Sequence, residues 1–380
     1  MQIKILVLFT CLAPFHSSVW SSSVSASAKV KTTVPLEVED QKRTKELANV
    51  LYGIQEPLLP QELINIILEY DQGAVMARTR YPTTALVVMP DGKMISAGKD
   101  DGSLQIWNQD GSLFEEVKGH GKVVTSLLMI SPHELISGSA DKTVKLWDLD
   151  TNTCIRTFSE LTSTVTSVIR LSDTLIAAGS EGQGICIWNI QTGETAKCFV
   201  ARPENWWTHD RFHEIHALAL LPKHRMIVSG GYRGFIKLWN HDCAERPFTF
   251  NSGLVRSIPN SGWLIPLSEV HALVALPDER IVAALSDGDI KIFAPNSGKK
   301  LAVLEGHKSD VRSLLLLSPT ILVSGGEDMT IRVWNLAKGK DQCIKTFRGH
   351  TKAVIALAKI DEKRFLSGSE DGTIRTWTLE

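Results

Sequence analysis

The sequence predicts an all-β fold, a closed propeller of seven four-stranded blades, and three observations carry this prediction. First, the 380 residues have ordinary globular composition, with 43% hydrophobic and 22% charged residues, which excludes disordered, collagen-like and membrane-spanning classes. Second, a unit of about forty residues recurs from residue 74 onward. Third, the first and last segments of the repeat region complement each other.

The repeat is visible in seven short strings that each end in an aromatic residue. Successive aromatic residues are separated by 40, 41, 51, 54, 41 and 43 positions. They are Trp107, Trp147, Trp188, Trp239, Phe293, Trp334 and Trp377. Within a unit, apolar or alternating runs such as 123–130 and 134–138 are separated by Gly, Asp, Asn or Pro. This pattern predicts four strands joined by turns in each unit.

The two ends of the repeat region favour a closed ring over an open array. The last unit stops three residues after Trp377 and has no fourth strand of its own, whereas residues 74–80 precede the first inner strand, 84–89, as a spare strand. We expect residues 74–80 to pair with residues 373–379. Such pairing would close the ring and leave no exposed sheet edge.

Specific residues recur at the same intervals, 17, 4 and 6, in three of the units. The three sets are His120, Ser137, Asp141 and Trp147; His307, Ser324, Asp328 and Trp334; and His350, Ser367, Asp371 and Trp377. A glycine precedes each histidine, and Trp147-Asp148 is a literal WD dipeptide. With these motifs, about 300 of the 380 residues resemble the WD40-repeat family of β-propellers. The resemblance implies that each set forms a hydrogen-bonded network inside a blade, a structural role and not a catalytic one.

The other four units depart from this pattern. Unit one has Arg80-Tyr81 where Gly-His would fall, and unit three has Gly182 at the Asp position. Unit four has Arg233 at the Asp position, and unit five has Phe293 in place of Trp. We expect these four blades to be held mainly by apolar packing and strand pairing.

Two long spacings contain tryptophans that are candidates for partner binding. We interpret residues 200–213, with Trp206 and Trp207, and residues 251–269, with Trp263, as insertions between the outer strand of one blade and the inner strand of the next. Exposed tryptophans on such loops would anchor a partner. An alternative interpretation is that they fold back over blades short of polar bonds.

The residue just before the Asp position forms a second candidate surface. The seven residues are Asp100, Ala140, Glu181, Tyr232, Ser286, Glu327 and Glu370. The family resemblance implies that they ring the mouth of the central channel. Their four acids would favour a Lys- or Arg-containing segment of a partner, and Tyr232 and Arg233 would contribute to the same surface. The alternative is that Asp-Asp-Gly and Glu-Asp-Gly are simply good turn sequences.

The residues before the propeller, predicted at 74–380, suggest two segments. Residues 1–28 combine Lys4, a short apolar run and a small-x-small pattern, which predicts a cleaved secretory signal peptide. Residues 29–73 form a linker with helices expected at 42–53 and from Pro60. The second helix is similar to the opening helix of an F-box. An amphipathic helix packed against the propeller is the alternative.

No feature of the sequence predicts a catalytic, cofactor or metal site. After loss of Cys11, five scattered cysteines remain, without a CxxC pair, and they do not suggest a disulfide framework. GxSxG, Walker A, HExxH and Gly-rich dinucleotide motifs do not occur. His209, His213 and His216 lie in an insertion that runs into a strand, where their spacing has no helical meaning.

The prediction for function is therefore a non-enzymatic, monomeric scaffold that binds a protein or peptide partner on the face carrying the insertions. A net charge of −1 without a basic patch argues against nucleic-acid binding, and no stable membrane insertion is expected. Two alternatives stay open, an F-box-like substrate adaptor of a cullin ubiquitin ligase and an exported propeller hydrolase. The predicted location is secreted or extracytoplasmic, with a cytoplasmic location if the apolar N-terminus is not a signal.

Overall fold

The computed structural model describes residues 73–98, 102–182, 184–199, 214–240, 254–259, 268–295, 297–337 and 342–379. The chain divides into two compact units, residues 1–58 and 59–380. The predicted signal peptide, the two expected helices and the F-box-like string all fall outside the described residues. In the part of the chain that is described, no helix is long and apolar enough to cross a membrane.

Seven antiparallel four-stranded sheets make up the described chain. Strands are numbered in chain order. Blades one to seven begin with the inner strands β2 (Thr83–Val88), β6 (Val124–Ser131), β10 (Val165–Arg170), β14 (Ile215–Leu221), β18 (Val270–Ala275), β22 (Val311–Ser318) and β26 (Val354–Lys359). The second strands are β3 (Met94–Gly98), β7 (Glu134–Ser139), β11 (Leu175–Ser180), β15 (Met226–Gly231), β19 (Ile281–Leu285), β23 (Ile321–Gly326) and β27 (Arg364–Ser369).

The third and outer strands complete each blade. The third strands are β4 (Ser103–Trp107), β8 (Val144–Asp148), β12 (Gly184–Asn189), β16 (Phe235–Asn240), β20 (Ile290–Phe293), β24 (Ile331–Asn335) and β28 (Thr373–Thr378). The outer strands of blades one to six are β5 (Leu113–Lys118), β9 (Thr153–Phe158), β13 (Thr195–Phe199), β17 (Leu254–Pro259), β21 (Lys300–Leu304) and β25 (Cys343–Phe347). One described turn of 3₁₀ helix, Tyr232–Gly234, joins β15 to β16.

The burial of the strands follows their place in the blade. The second strands are buried almost throughout, as Met94–Gly98 and Ile281–Leu285 show, and they read as continuous runs of apolar and small residues. The outer strand Leu113–Lys118 is largely exposed and carries three charges. A strand sandwiched between neighbouring blades buries both faces, whereas an outer strand keeps one face in water, so the sequence patterns of the two differ.

The ring closes as the sequence predicts. Each inner strand contacts the inner strand of the next blade, and β26 contacts β2. The seventh blade takes its outer strand from the start of the chain, because β1 (Ala74–Arg78) pairs with β28, Ala74 lying opposite Thr376 and Arg78 opposite Thr373. The prediction of a seven-bladed propeller closed by an N-terminal strand is confirmed.

The hydrophobic core consists of seven clusters, one at each boundary between neighbouring blades. Between blades one and two, for example, Ile95 and Ile106 pack with Leu135 and Trp147. Each fully buried side chain of this kind contributes roughly 1.5–3 kcal/mol. Apolar packing between blades therefore holds the ring together, while hydrogen bonds within each sheet define the blade.

Blade four corrects one sequence interpretation. Residues 251–269 are not a continuous insertion between blades, because Leu254–Pro259 form strand β17, which pairs with β16. The backbone of Leu254–Pro259 pairs with the edge of β16 that would otherwise be left open. The extra residues instead fall on either side of this strand, at 241–253 and 260–267. Both of these segments lie outside the described part of the chain.

A disulfide corrects a second sequence interpretation, that the scattered cysteines do not pair. Cys186 on β12 lies directly opposite Cys198 on β13, and the two form a disulfide with a Cα–Cα distance of 4.1 Å. The hairpin register brings together cysteines twelve positions apart, which residue spacing alone does not indicate. Cys154 and Cys343 are free thiols at equivalent positions, each opposite the tryptophan of its blade.

Candidate functional site

Inside blade two, four side chains form a continuous hydrogen-bonded chain. The indole N–H of Trp147 donates to Ser137 Oγ at 2.7 Å, and the Ser137 hydroxyl donates to Nε2 of His120 at 2.6 Å. Nδ1 of His120 then donates to Asp141 Oδ2 at 2.8 Å. Every donor and acceptor in this buried chain is satisfied when the imidazole is neutral, so the chain is structurally complete without a substrate.

Two other blades repeat this arrangement. Blade six uses His307, Ser324, Asp328 and Trp334, and blade seven uses His350, Ser367, Asp371 and Trp377. In both, the serine hydroxyl lies between the indole and the imidazole at 2.6–2.8 Å. The three networks give the His and Asp residues a framework role, since each serine hydroxyl is fully buried and already engaged by both the indole and the imidazole.

The environment of these networks shifts the pKa values of their titratable groups. Burial lowers the pKa of His120 and of His350, although the aspartate partner of each opposes the shift. Burial acts to raise the pKa of Asp141, but hydrogen bonds from Thr143, from the backbone N–H of Gly121 and from His120 together lower it to about 2. Neutral His120 and His350 and ionised Asp141 are therefore the stable forms near neutral pH.

The four blades without this network show three other arrangements. Trp107 and Trp239 still donate to a serine, Ser96 and Ser229, at 2.8 Å. In blade three an alanine occupies the serine position, and Trp188 donates instead to Oε2 of Glu160 at 2.8 Å. Blade five has Ala283 and Phe293, and so lacks both the hydroxyl and the indole that would need it. Three of these blades thus keep an indole hydrogen bond in addition to the expected apolar packing.

The structure places the predicted ring of residues before the Asp position next to the start of the inner strands. In the six blades where this residue is described, its backbone N–H donates to the carbonyl of the residue immediately before the inner strand, a position we call the mouth position. The pairs are Ala140 with Val123, Glu181 with Thr164, Tyr232 with Glu214, Ser286 with Glu269, Glu327 with Asp310, and Glu370 with Ala353.

Several residues predicted to bind a partner are not described. Asp100, Trp206, Trp207 and Trp263 lie outside the described residues, as does the side chain of Arg233. The remaining predicted residues, Glu181, Tyr232, Glu327 and Glu370, occupy equivalent places in four blades.

Every inner strand has a β-bulge at its second residue. We call this residue, which lies two positions after the mouth position, the bulge position. The seven bulge residues are Thr84, Thr125, Thr166, His216, His271, Arg312 and Ile355. In blades one to three the threonine hydroxyl donates to a backbone carbonyl of the next inner strand, as Thr84 does to Val124 at 2.6 Å. The threonine therefore links neighbouring blades.

Blades four to six carry different residues at both positions. Their mouth residues are Glu214, Glu269 and Asp310, where the other blades have Pro82, Val123, Thr164 and Ala353. Their bulge residues are two histidines and an arginine. Three consecutive blades thus present acidic and basic side chains at one end of the ring of inner strands, where the repeat otherwise uses neutral ones.

These side chains interact across the blade boundaries. The rings of His216 and His271 are stacked, with centroids 5.8 Å apart and planes inclined by 8°. Nε2 of His271 lies 3.1 Å from Asp310 Oδ2, and the same carboxylate is 3.4 Å from Nη2 of Arg312. Nε of Arg312 donates to Glu327 Oε1 at 2.9 Å. The chain of contacts runs from blade four to blade six and includes one of the predicted ring residues.

The electrostatic character of this cluster is acidic. Four carboxylates, those of Glu214, Glu269, Asp310 and Glu327, belong to it, against the single guanidinium of Arg312. Burial and the nearby guanidinium lower the pKa of His271, which outweighs the opposing effect of Asp310. The cluster can therefore attract a cation or a basic side chain.

Sequence reasoning missed this cluster, although a signal was present. The strings Glu214-Ile215-His216 and Glu269-Val270-His271 have the same form, but the two lie at the ends of the long insertions. The strings that end in an aromatic residue mark the third strand of each unit, and so they do not show where the inner strand begins. Aligning the units on the start of the inner strand would have revealed both.

Comparison with known proteins agrees with the architecture. The family model for the WD domain, G-beta repeat matches residues 79–108, 111–148, 207–240, 298–335 and 341–378. Among solved structures, the computationally designed Ika8 protein superposes with a TM-score of 0.59 and 25% sequence identity, covering 81% of this chain and 100% of that one.

Curated relatives are similar over part of their length. Ribosome biogenesis protein YTM1 of Eremothecium gossypii is 22% identical over 66% of this chain and 44% of its own. The U3 small nucleolar RNA-associated protein 15 homolog of Xenopus laevis is 27% identical over 47% of this chain and 33% of its own. WD repeat-containing protein 41 of Mus musculus is 33% identical over 25% of this chain and 23% of its own. The chain thus spans less than half the length of each of these three relatives. With five matched repeats and seven blades of this design, the chain belongs to the family of WD40-repeat propellers.

Proposed function

We propose that the propeller is a rigid, non-enzymatic platform that binds a protein or peptide at the mouth of blades four to six. The observation that carries this proposal is the change at the mouth and bulge positions, which become charged or titratable in three consecutive blades. The fold itself does not need these residues, because the other four blades form with neutral ones. A departure from an internal repeat that folding does not require is typical of a binding surface.

The chemistry of the surface favours a partner with a basic segment. The carboxylates of Glu214, Glu269 and Asp310 lie next to the predicted ring, which adds Glu181 and Glu370 from neighbouring blades. Lysine and arginine side chains would pair with these acids, and the resulting field would also speed association. A net charge of −1 favours protein over nucleic acid as the direct partner, even though two relatives are named for ribosome biogenesis and U3 small nucleolar RNA.

A labelled octa-arginine peptide tests the acidic surface directly. We expect the double variant Glu214→Gln/Asp310→Asn to weaken its binding several-fold in fluorescence anisotropy, with the difference shrinking as salt is added. The matched control is Glu116→Gln on the outer strand β5, which should bind like the native chain. Equal affinity of the double variant and the control would exclude this surface as the binding site.

The tryptophans of the insertions remain proposed anchors. Replacing Trp206, Trp207 and Trp263 with Ala should abolish binding to peptides selected on the native chain and leave the melting temperature nearly unchanged. A large fall in melting temperature would instead show that these tryptophans pack against the blades.

We also propose that the protein is exported. The predicted signal peptide at residues 1–28 is one support, and the disulfide between Cys186 and Cys198 is a second, because such bonds persist in oxidising compartments. The intact mass of the protein from its native cell tests this. A chain beginning at Lys29 is the expected result, and a chain that retains Gln2 would favour the cytoplasm.

A further inference from the structure

We propose that His216, Glu269 and His271 bind one divalent transition-metal ion, with zinc as the best match, across the boundary between blades four and five. Each residue offers one ligand atom, and the three atoms lie within 4.8 Å of one another. Zinc binds nitrogen and oxygen at about 2.0–2.2 Å, so ligand atoms around it are about 3.3 Å apart. Binding would require the two stacked imidazoles to turn about their side-chain bonds so that one nitrogen of each faces the ion. The histidine side chains are 21% and 10% exposed, so solvent ions can reach them.

One ring nitrogen of His216 lacks the partner that its burial demands. Nδ1 of His216 is buried and has no hydrogen-bond partner among the residues that the structure describes. Its other nitrogen, Nε2, lies 3.8 Å from Glu214 Oε2, too far for a good hydrogen bond. An imidazole that is poorly satisfied on both sides carries a desolvation cost, and an ion bound at one nitrogen would reduce it.

The repeat provides an internal comparison for what this place normally does. In blades one to three the bulge position holds a threonine, which bonds the next inner strand and so links the blades. His216 occupies that position in blade four, and His271 occupies it in blade five. An ion held by both histidines would link β14 to β18 in place of the threonine.

The surroundings of the three ligands suit a metal. The Asp310 carboxylate holds Nε2 of His271 at 3.1 Å, and such carboxylates commonly orient histidine ligands and raise their basicity. Two imidazoles and one carboxylate match zinc, whereas calcium and magnesium prefer all-oxygen sites. The remaining coordination position would be left to water or to a group of a partner.

Titration of the chelator-stripped full chain with zinc chloride tests the proposal. Because zinc is the only ligand added, the result does not depend on whether the chain binds a peptide. Calorimetry should show one zinc per chain, and zinc should raise the melting temperature. His216→Thr, His271→Thr and Glu269→Gln should each weaken zinc binding at least about tenfold and remove the thermal shift. Threonine is chosen because three other blades carry it at this position, so the variants should fold. Glu269→Gln is nearly isosteric, so it still tests the site if a threonine variant does not fold.

The matched control is His133→Ala, which removes an exposed histidine bonded to Asp150 on blade two and should leave zinc binding unchanged. Failure of the native chain to take up zinc would overturn the proposal, as would native-like binding by the three variants. Loss of binding in His209→Ala/His213→Ala with full binding in His271→Thr would also overturn it, because the ion would then belong to the insertion at 200–213.

Discussion

At the scale of single residues, one serine hydroxyl organises the interior of a blade. Ser137 accepts from an indole and donates to an imidazole, and both partners are buried. In the blades that have alanine at this position, the partner residues also differ. In blade three the indole of Trp188 donates to Glu160, and blade five has Phe293 instead of a tryptophan. The repeat therefore varies in sets of residues that keep buried polar groups paired.

The first prediction concerns this hydroxyl. Ser137→Ala leaves Trp147 Nε1 and His120 Nε2 without partners, and we expect it to lower the free energy of unfolding by about 2 kcal/mol or more. Urea denaturation followed by tryptophan fluorescence measures the loss. Ser159→Ala, at an exposed serine, is the control and should have almost no effect. Comparable losses in the two variants would contradict the role assigned to Ser137.

The second prediction concerns the loss of stability at low pH. His120 and His350 have pKa values below the ordinary 6.5, so the unfolded chain takes up protons first, and stability falls as the pH drops below 6.5. Asp141 has a pKa of about 2 against an ordinary 3.8, so its contribution is complete above pH 3.8 and is lost as the pH falls toward 2. After allowance for its partial exposure, this second step amounts to about 1–2 kcal/mol.

Melting temperature measured against pH checks both steps. Asp141→Asn should flatten the arm of the curve below pH 3.8. Asp173→Asn, at a carboxylate with a side chain 97% exposed, should leave the curve unchanged. Stability that rises on acidification from pH 6.5 would show that the histidines are charged in the native state.

At the scale of strands, the disulfide ties the outer strand of blade three to the rest of its sheet. The bond joins β12 to β13 at a point where Cys186 is buried. The segment 200–213 follows directly, so this strand adjoins the long insertion that carries Trp206 and Trp207. A covalent link at this place holds the edge from which the insertion leaves the blade.

The third prediction concerns this bond. We expect Cys186→Ala/Cys198→Ala to lower the free energy of unfolding by about 2–4 kcal/mol, because the native bond restricts the unfolded chain. Urea denaturation with and without reductant measures the effect, and reductant should change only the native chain. Cys154→Ala removes an exposed free thiol and is the control. Equal midpoints for the double variant and the native chain would contradict this role.

At the scale of the whole molecule, the ring depends on pairing between residues about 300 positions apart. Ala77 of β1 lies opposite Ile374, is 4% exposed and packs in the cluster that joins blades seven and one. Val75 on the same strand is 40% exposed. The closure of the ring thus rests on one buried face of a short strand.

The fourth prediction concerns this closure. Ala77→Glu buries an unpaired charge and should cost about 3 kcal/mol or more, with exposure of the edge of β28 and concentration-dependent aggregation. Val75→Glu should change stability by less than about 0.5 kcal/mol. Thermal melting and light scattering measure both effects. An Ala77→Glu chain as stable and as monomeric as Val75→Glu would show that β1 does not close the ring.

The fold was predictable from the amino-acid sequence, because the features that define a blade are local. Regular spacing of aromatic residues, turn residues between apolar runs and the fixed intervals from histidine to tryptophan all lie within one unit of about forty residues. Even the closing strand was predictable, since a spare strand at one end matches a missing one at the other.

The tertiary structure was needed to show pairings that the repeat spacing leaves open, both within a blade and between blades. The pairing of Cys186 with Cys198 depends on hairpin register, and strand β17 is recognised by its pairing with β16. The stacking of His216 on His271 joins residues 55 positions apart; the matching strings around them place both at the same point of the repeat, but only the structure shows that the rings meet. Contacts between blades depend on how the ring brings inner strands together, and this geometry follows from packing of all seven blades at once.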